Sequence, residues 1–407
     1  MRLFLLLGLA LALFAQAPPP GEPFRLQLES PQLIRQGAMF PFLWVLKDGS
    51  ALLELSKGNR IYRRPGGFQY QQQDPLFLVS RDGLKTWQPW AKSSHIQELP
   101  WFEGVVVQLR NGPVLMFEYI AHKVGKGEYE GRLWESSPGW ESFNGPIAVK
   151  LSVPRYEEKG ASDEGTPFLA VPWHRSAVEM PDGSLMASVY GRFEEDKTPS
   201  EYKPSMHKMR SFVIVSKDKG RNWSYLSTIA SAPVEQEGFG EPSMIRLSKG
   251  PHAGRLICLM RTGRVSPIYQ SESDNDGKTW SAALPLRTMY SKFGHWRSIV
   301  GTDPDLIEMR DGTLAMSFGH KPDYKDDGDF VVFSADQGES WTQVTRLSME
   351  LTCAYTSVNE IEPGVLYVAY SAAGSSTNPT PAGTDRTSRY RVLGQRIHVQ
   401  RKELAAR

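Results

Sequence analysis

The chain has 407 residues, of which 47 are basic and 45 acidic, so its formal net charge at pH 7 is +2. This near-balance argues against bulk nucleic-acid binding, which requires a strongly basic surface. A hydrophobic content of 40% with 11% aromatic residues is typical of a globular protein rather than a disordered one. The length allows several domains, but large all-β folds also reach it as a single domain.

The N-terminal residues have the pattern of a secretory signal peptide. Arg2 gives a positive start, residues 3–14 form an unbroken apolar run, and Ala-Gln-Ala at 15–17 has the small-x-small form of a cleavage site. The apolar run is shorter than the roughly 20 residues that a membrane helix needs. We therefore predict a secreted or periplasmic protein without membrane insertion. Its predicted parts are a signal peptide over 1–17, a linker over 18–30 and one folded domain over 31–407.

Four short stretches share the pattern Ser-x-Asp-x-Gly-x-x-Trp, with small departures. In chain order they are SRDGLKTW (80–87), SKDKGRNW (216–223), SDNDGKTW (273–280) and SADQGESW (334–341). The acidic side chain can accept backbone N–H bonds within its own turn, the glycine supplies a positive φ, and the tryptophan can bury a large ring. We interpret them as structural turns and expect all four tryptophans to be largely buried. A calcium loop is the alternative, but the carboxylate that an EF-hand requires at its twelfth position is missing.

A second repeat consists of a short apolar strand, a turn that contains glycine, and another apolar strand. WVLKDGSALLEL is the first copy, and Asp-Gly or Asn-Gly between alternating hydrophobic residues is the strongest short-range indication of a hairpin. The turn glycines, in chain order, are Gly49, Gly112, Gly183, Gly250, Gly312 and Gly364. Six such units predict an all-β fold, a six-bladed β-propeller with four-stranded antiparallel blades around a central channel.

The open ends of these hairpins should meet at one mouth of the channel. The residues there are rich in arginine, lysine, histidine, tyrosine and carboxylates. Several cations at one pocket suit an anionic ligand, because arginine binds a carboxylate with a two-pronged fork. A tyrosine beside a glutamate suits nucleophilic chemistry, since a phenol needs a base or a cationic field before it attacks. The mouth is therefore the predicted functional site, and an ordinary polar rim is the alternative.

The Trp turns resemble the Asp-boxes, or BNR repeats, of the sialidases, and the resemblance covers nearly the whole chain after the signal peptide. It implies a six-bladed propeller in which these turns are structural. GFGEPSMIRL with LICLMRTG looks like the sialidase blade that carries a glutamate and an arginine. That likeness implies Glu241 as the partner of the nucleophile and Arg261 as a ligand of the substrate carboxylate. CAYTSVNEIEPGVLYVAY looks like the blade with the catalytic tyrosine, which implies Tyr355 as the nucleophile.

The resemblance departs from the family at two of the three arginines that hold the substrate carboxylate in sialidases. Met39 stands where the first is expected, and Arg35 lies four residues upstream. Lys321 stands where the third is expected, and a lysine keeps the charge but loses the planar fork. Asp74, six residues before the first Trp turn, is the candidate acid/base.

The sequence thus predicts a retaining exo-glycosidase that removes a terminal acidic sugar from a glycan, with the tyrosine nucleophile that sets sialidases apart from most retaining enzymes. The predicted substrate-binding residues are Arg261, Lys321, Arg35, Arg175, Asp303 and His320. Two alternatives remain: a glycan-binding propeller without turnover, and a polysaccharide lyase that uses His174 or His320 with a tyrosine.

Metal and cofactor chemistry is not indicated by the sequence. It contains no HExxH motif and no Cys/His cluster, so we predict no catalytic metal and no cofactor. The two cysteines, Cys258 and Cys353, are expected to behave as buried small hydrophobes, although export would permit a disulfide between them.

Overall fold

The computed structural model describes residues 22–63, 69–90, 104–118, 121–137, 142–153, 156, 173–201, 204, 206–290, 295–320, 328–373 and 390–402. Within these residues the regular structure consists of 28 β-strands, and none of the described residues is helical. The described part of the chain accordingly contains no helix long and apolar enough to cross a membrane.

The strands are numbered in chain order. The first fourteen are β1 (Phe24–Leu28), β2 (Gln32–Gln36), β3 (Met39–Val45), β4 (Ala51–Arg63), β5 (Gln69–Ser80), β6 (Gln88–Pro89), β7 (Val105–Gln108), β8 (Val114–Phe117), β9 (His122–Gly125), β10 (Glu128–Ser136), β11 (Phe143–Ser152), β12 (Trp173–Glu179), β13 (Leu185–Gly191) and β14 (Arg210–Ser216). The others are β15 (Asn222–Ala230), β16 (Gly240–Arg246), β17 (Leu256–Arg261), β18 (Tyr269–Ser273), β19 (Leu284–Pro285), β20 (Arg287–Tyr290), β21 (His295–Ser298), β22 (Thr302–Glu308), β23 (Leu314–His320), β24 (Gly328–Ser334), β25 (Thr342–Arg346), β26 (Thr356–Glu362), β27 (Val365–Ala373) and β28 (Tyr390–Arg401).

Most strands pair with their neighbours in the chain. Three sheets have four strands each, in the orders β3-β4-β5-β6, β16-β17-β18-β19 and β22-β23-β24-β25. A nine-stranded sheet contains two further antiparallel runs, β7-β8-β10-β11 and β12-β13-β14-β15, which a short parallel pairing of β11 with β15 joins; β9 pairs with β10. Strands β20 and β21 form a separate small sheet.

The remaining sheet joins the two ends of the described chain. Its order is β1-β28-β27-β26, and β2 also pairs with β28. In this register Phe24 lies opposite Arg401 and Leu28 opposite Ile397. The predicted linker at 18–30 therefore includes a strand that belongs to the folded domain. Strand β1 gives the edge N–H and C=O groups of β28 partners that they would otherwise lack.

Each of the six predicted hairpins is present, as the pairs β3–β4, β7–β8, β12–β13, β16–β17, β22–β23 and β26–β27. The first strands of these hairpins pack on one another in succession: β7 on β12, β12 on β16, β16 on β22, β22 on β26 and β26 on β3. Five of them line a cavity of about 410 Å³. Five of the six first strands therefore surround one central space.

The Trp turns connect the third strand of a sheet to the fourth and are held by bonds within the turn. In the copy at 334–341, Ser334 Oγ accepts a hydrogen bond from the N–H of Gly338 and donates one to Asp336 Oδ1, both at 2.8 Å. Asp336 Oδ1 also accepts from the N–H of Ser340 at 2.9 Å. Gln337 and Gly338 both have positive φ, 59° and 96°, so the turn needs a glycine at its second left-handed position. These bonds agree with the structural interpretation of the motif.

The tryptophans of these turns divide into two pairs. Trp223 and Trp341 are buried, with 3% and 2% of their surface exposed. Trp87 and Trp280 are half-buried. Trp223 packs edge-on against Phe117, with ring centroids 5.6 Å apart, and its indole N–H donates to the carbonyl of Gly220 at 2.9 Å. The prediction that the rings are largely buried is therefore confirmed for Trp223 and Trp341, while Trp87 and Trp280 are partly buried and pack against the core.

The two cysteines are buried and free, so the disulfide that the sequence left open is not formed. Cys258 lies in β17 and Cys353 lies three residues before β26. Burial raises the pKa of the Cys353 thiol to about 11, which keeps it protonated at neutral pH.

Candidate functional site

Three of the predicted residues meet where two hairpins open. Tyr355 lies directly before β26, Glu241 is the second residue of β16, and Arg261 is the last residue of β17. The Tyr355 hydroxyl donates to Glu241 Oε1 at 2.6 Å, and Arg261 Nη1 donates to the same oxygen at 2.7 Å. All three residues are buried, with exposed fractions of 8%, 7% and 6%. The structure thus brings the predicted nucleophile, its partner and one arginine into direct contact.

Four of the first strands share a backbone irregularity near their N-terminal ends, and Glu241 lies at one of these four positions. Phe40, Arg175, Glu241 and Asp303 have positive φ values of 55°, 53°, 41° and 51°. Each lies at the point where the pairing register of its strand shifts. A β-bulge of this kind bends the strand and redirects a side chain, and such backbone strain persists only where the surrounding structure holds it. In three of the four strands a proline follows, which suits a bulge because it has no N–H to offer the ladder.

Arg261 lies between two glutamates, and the sequence reasoning missed one of them. Its Nη2 donates to Glu237 Oε1 at 3.0 Å, in addition to the bond from Nη1 to Glu241. Burial alone lowers the pKa of the Arg261 guanidinium, but the charges of Glu237 and Glu241 and the Tyr355 hydroxyl outweigh burial and hold this pKa well above its usual value. Arg261 is therefore always charged, and its charge is balanced inside the protein. Glu237 stands four residues before Glu241 in EGFGE, a spacing of acidic residues that could have indicated it.

Arg175 and Asp303 meet in a second buried cluster. Arg175 Nε donates to Asp303 Oδ1 at 2.9 Å and Nη2 contacts Asp303 Oδ2, so the guanidinium grips this carboxylate with two nitrogens. Arg175 Nη1 lies 3.3 Å from Asp305 Oδ2, and the guanidinium carbon lies 4.4 Å from the ring centre of Phe42. His174 Nε2 lies 3.3 Å from Asp303 Oδ1. The structure pairs Arg175 with Asp303, and the predicted role of both in binding substrate stays a prediction.

The second cluster holds the backbone that carries the tyrosine. Arg175 Nη2 donates to the carbonyl of Thr356, the residue after Tyr355, at 2.6 Å. Asp305 Oδ2 accepts hydrogen bonds from Ser357 Oγ and from the N–H of Val358, both at 2.8 Å. Burial raises the pKa of Asp305, against the opposing effect of the Arg175 charge. The start of β26 is therefore fixed by groups from β12 and β22.

The central cavity of about 410 Å³ adjoins the second cluster rather than the tyrosine. Arg175, Asp305 and Ser357 contribute to its lining at one level, and Arg246 and Glu308 contribute further along the strands. Its volume lies within the roughly 300–1,000 Å³ that small-ligand sites occupy. Among the residues that the structure describes, no group of three or more His, Cys, Asp or Glu is arranged to hold a metal ion.

The other four predicted site residues have different surroundings. Arg35 is exposed on β2, which pairs with β28 and is separated from the inner strand β26 by β28 and β27. His320 ends β23 and its Nε2 lies 2.8 Å from the carbonyl oxygen of Val300. Asp74 lies in β5, but its side chain is outside the described part of the structure, and Lys321 lies wholly outside it. The roles of these residues stay predictions.

Comparison with known proteins places this arrangement in a family. Residues 76–368 match the family described as BNR repeat-like domain. No match was found among curated protein sequences. The chain resembles the crystal structure of a protein of unknown function from Dyadobacter fermentans, with a TM-score of 0.62 and 18% identity over 92% of this chain and 99% of that one.

Two similar solved structures are named as glycosidases. The Hadza microbial sialidase Hz136 has a TM-score of 0.59 and 15% identity, over 91% of this chain and 68% of that chain. The α-L-arabinanase of Penicillium chrysogenum, solved with arabinobiose, has a TM-score of 0.57 and 13% identity, over 92% of this chain and 98% of that chain. At such low identities the likeness shows a shared fold and nothing about activity.

Proposed function

This chain belongs to the BNR repeat-like, sialidase-like family, and from that premise we propose that it is a retaining exo-glycosidase with Tyr355 as its nucleophile. The observation that carries the proposal is the hydrogen bond of 2.6 Å from the Tyr355 hydroxyl to Glu241 Oε1. A phenol with an ordinary pKa of ~10 is a weak nucleophile at neutral pH unless a base takes its proton. Glu241 is within direct reach of that proton. A protein that only binds glycans has no use for such a pair.

In the proposed reaction the Tyr355 oxygen attacks the anomeric carbon of the terminal sugar while Glu241 takes the phenolic proton. The bond to the leaving oxygen breaks as an acid protonates that oxygen, and Asp74 is the proposed acid. Water then attacks the glycosyl-tyrosine, and Asp74, now a carboxylate, takes the proton of the water. Two displacements at one carbon retain its configuration. The positive charge of Arg261 stabilises Glu241 as a carboxylate before the attack. It also stabilises the phenolate of Tyr355 that leaves when water attacks the glycosyl-tyrosine.

We further propose that the antiparallel runs are the six blades of a propeller, with the nine-stranded sheet counted as two and β1 closing the last. The succession of contacts between first strands supports this count. The remaining contact, between the ends of β3 and β7, is made by the N–H of Lys47, which lies two residues after β3 and donates to Gln108 Oε1 at 2.7 Å. Such a ring gathers the starts of all first strands at one mouth. It therefore explains how Tyr355 and Glu241, 114 residues apart, come into contact.

The proposed substrate is the terminal sugar of a glycan outside the cytoplasm, since the N-terminal residues have the pattern of a signal peptide. The sequence predicts an acidic sugar. A sialidase and an arabinanase bound to arabinobiose are both similar in fold. The likeness supports glycosidic-bond chemistry without selecting one sugar over the other, so the sugar has to be decided from the site itself.

The test is a panel of aryl glycosides that covers sialic acid, its deaminated analogue, hexuronic acids, neutral hexoses and pentoses. Wild-type protein should release the aryl group from at least one member, and NMR should show that the first product keeps the anomeric configuration. An activated fluoro-sugar that slows the second step should label Tyr355, read by mass spectrometry of the peptide. Inversion of configuration, or labelling of another residue, would remove Tyr355 as the nucleophile.

A further inference from the structure

The backbone directly before Tyr355 has an unusual conformation. Ala354 is fully buried and has a φ of 69°, in the left-handed region that residues other than glycine seldom adopt. Such a conformation persists only where the surrounding structure holds it. Arg175 and Asp305 already fix the chain after Tyr355. The contacts that hold Ala354 fix the chain before it, and so they help to decide where the Tyr355 hydroxyl lies.

The N–H of Ala354 is held by the side chain of Thr352. Thr352 Oγ1 accepts a hydrogen bond from this N–H at 2.9 Å, which closes a short turn within the chain. The same hydroxyl donates to Asp329 Oδ1 at 2.7 Å. Thr352 and Asp329 are both fully buried, so water does not compete for either bond. One hydroxyl group therefore ties the strained residue to β24, the third strand of its four-stranded sheet.

The Cα and the carbonyl of Ala354 lie against the neighbouring strand β23. A Cβ atom added to Gly319 would overlap Ala354 Cα and would lie 2.7 Å from its carbonyl oxygen, so a side chain has no room at position 319. Gly319 pairs with Thr302 on one side and with Asp329 on the other. Thr302 Oγ1 lies 3.4 Å from the carbonyl oxygen of Ala354. The close approach of Ala354 to β23 thus places it beside the strand that carries Asp329.

Asp329 acts in this contact as a hydrogen-bond partner rather than as a charge. Burial raises the pKa of Asp329 well above its ordinary value, although the bond from Thr352 and the charge of Arg346 oppose this and the charge of Glu350 adds to it. The neutral form of the carboxyl is therefore favoured, and it keeps an oxygen that accepts from Thr352. An asparagine side chain has the same shape and the same acceptor.

We infer that Thr352 is a positioning residue for the Tyr355 nucleophile and that Asp329 anchors it. The inference rests on the proposed function and adds to the Tyr355–Glu241 pair a group that holds the tyrosine in place. Without the Thr352 hydroxyl the N–H of Ala354 loses its acceptor, and the backbone can leave its strained conformation. The Tyr355 hydroxyl would then move from its place 2.6 Å from Glu241 Oε1. A displacement of about 1 Å at a reacting group can lower a rate about 10²-fold.

The first experiment removes one hydroxyl group. Thr352→Val keeps the shape of the side chain but loses both hydrogen bonds, whereas Thr352→Ser keeps the hydroxyl. Thr313→Val is the matched control, because Thr313 is also fully buried but its Oγ1 has no hydrogen-bond partner within the described part of the structure. The assay measures kcat and KM on the best aryl glycoside, with urea unfolding on the same samples.

Thr352→Val should lower kcat by about 10²-fold with little change in KM, since the nucleophile is displaced while the contacts that bind the sugar remain. Thr352→Ser and Thr313→Val should keep the wild-type kcat. An unchanged kcat in Thr352→Val, or equal losses in Thr352→Val and Thr313→Val, would overturn the inference.

Two further variants trace the effect along the chain of contacts. Asp329→Asn keeps the acceptor for Thr352 and should keep kcat, and a loss as large as that of Thr352→Val would remove Asp329 as the anchor. In protein that already carries Tyr355→Phe, Thr352→Val should cause no further loss of the residual kcat. A residue that acts through the tyrosine has nothing left to position there. A further loss in this background would show that Thr352 acts elsewhere, and the inference would be wrong.

An NMR measurement separates this inference from the proposed function, because it requires no turnover. In protein with tyrosine labelled by ¹³C at Cζ, the signal that is absent from Tyr355→Phe belongs to Tyr355, and Glu241→Gln shows how it responds to a disturbed hydrogen bond. Thr352→Val should move this signal and Thr313→Val should not. If the signal moves although no glycoside of the panel is cleaved, the positioning role stands and only the glycosidase proposal fails. A Tyr355 signal that keeps its wild-type position in Thr352→Val overturns the inference whether or not the wild type is active.

Discussion

Removing one oxygen atom from Tyr355 should distinguish an enzyme from a binding protein. In Tyr355→Phe the ring keeps its packing, with the Phe40 ring centre 4.6 Å away and that of Phe42 6.5 Å away. What is lost is the hydrogen bond to Glu241, and a bond to a charged partner contributes about 1.5–3 kcal/mol to stability. Because Arg261 still neutralises Glu241, we expect the lower end, about 1.5 kcal/mol of unfolding free energy.

The effect of Tyr355→Phe on turnover should be much larger. Loss of a nucleophile that acts with its base lowers kcat by about 10⁴–10⁶, which corresponds to about 5–8 kcal/mol of activation free energy. The assay measures kcat and KM on the best aryl glycoside, with urea unfolding on the same samples. KM should change little, since the ring and the other contacts remain. Tyr367→Phe is the control, because Tyr367 lies on the neighbouring strand β27 and its hydroxyl accepts from the indole N–H of Trp87 at 3.4 Å, away from Tyr355 and Glu241.

A double-mutant cycle completes the test. Glu241→Gln should also lower kcat, because an amide cannot take the phenolic proton. The double variant should be no slower than the slower single variant, since residues that act as one unit do not contribute additively. If Tyr355→Phe kept more than about a tenth of the wild-type kcat, a loss of under 1.4 kcal/mol, the nucleophile assignment would be wrong. Fully additive losses would show that the two residues act separately.

Three further predictions concern the scaffold. Trp223→Ala removes a buried ring and should lower the unfolding free energy by ~3–5 kcal/mol, whereas Trp280→Ala, at a half-buried ring, should cost clearly less. Equal losses in urea unfolding would contradict the burial argument, and neither variant should change KM. Arg175→Met leaves Asp303 buried without its counter-charge and should cost ~3–5 kcal/mol. The addition of Asp303→Asn should restore part of that loss, and unfolding measurements that show no restoration would refute the pairing. Burial raises the pKa of Asp329 well above its ordinary value, so the folded state holds this proton more tightly than the unfolded state does. The protonated Asp329 carboxyl therefore contributes its full stability below the pKa that Asp329 has in the unfolded state, and this contribution is lost as the pH rises through the pKa of Asp329 in the folded state. Asp329→Asn should make the melting temperature fall less between pH 5 and pH 8 than it does in wild type, and parallel melting curves would contradict this.

Much of the local structure follows from the sequence alone. The six hairpins and the four Trp turns depend on residues a few positions apart, so Asp-Gly turns, alternating hydrophobic residues and the serine and acidic side chains of each turn determine them without distant contacts. The assignment of Tyr355, Glu241 and Arg261 to one mouth follows from the same regularity. If every hairpin opens at the same end of its sheet, residues at that end must lie near one another. Trp87 and Trp280 are less deeply buried than Trp223 and Trp341, because the depth of a ring depends on the neighbouring sheet, which a short motif does not contain.

The partners of the charged residues were decided only by the tertiary structure. Arg175 and Asp303 are 128 residues apart, and the sequence predicts both at the mouth without indicating that they bind each other. Their contact depends on bulges that give each a positive φ and turn the two side chains across the channel. The same holds for Glu237, which lies outside any strand and is held beside Arg261 by its N–H, which donates to the carbonyl of Thr262 at 2.9 Å. A sequence reveals which charges reach a site, but which carboxylates lie within about 3 Å of each cation is a property of the folded geometry.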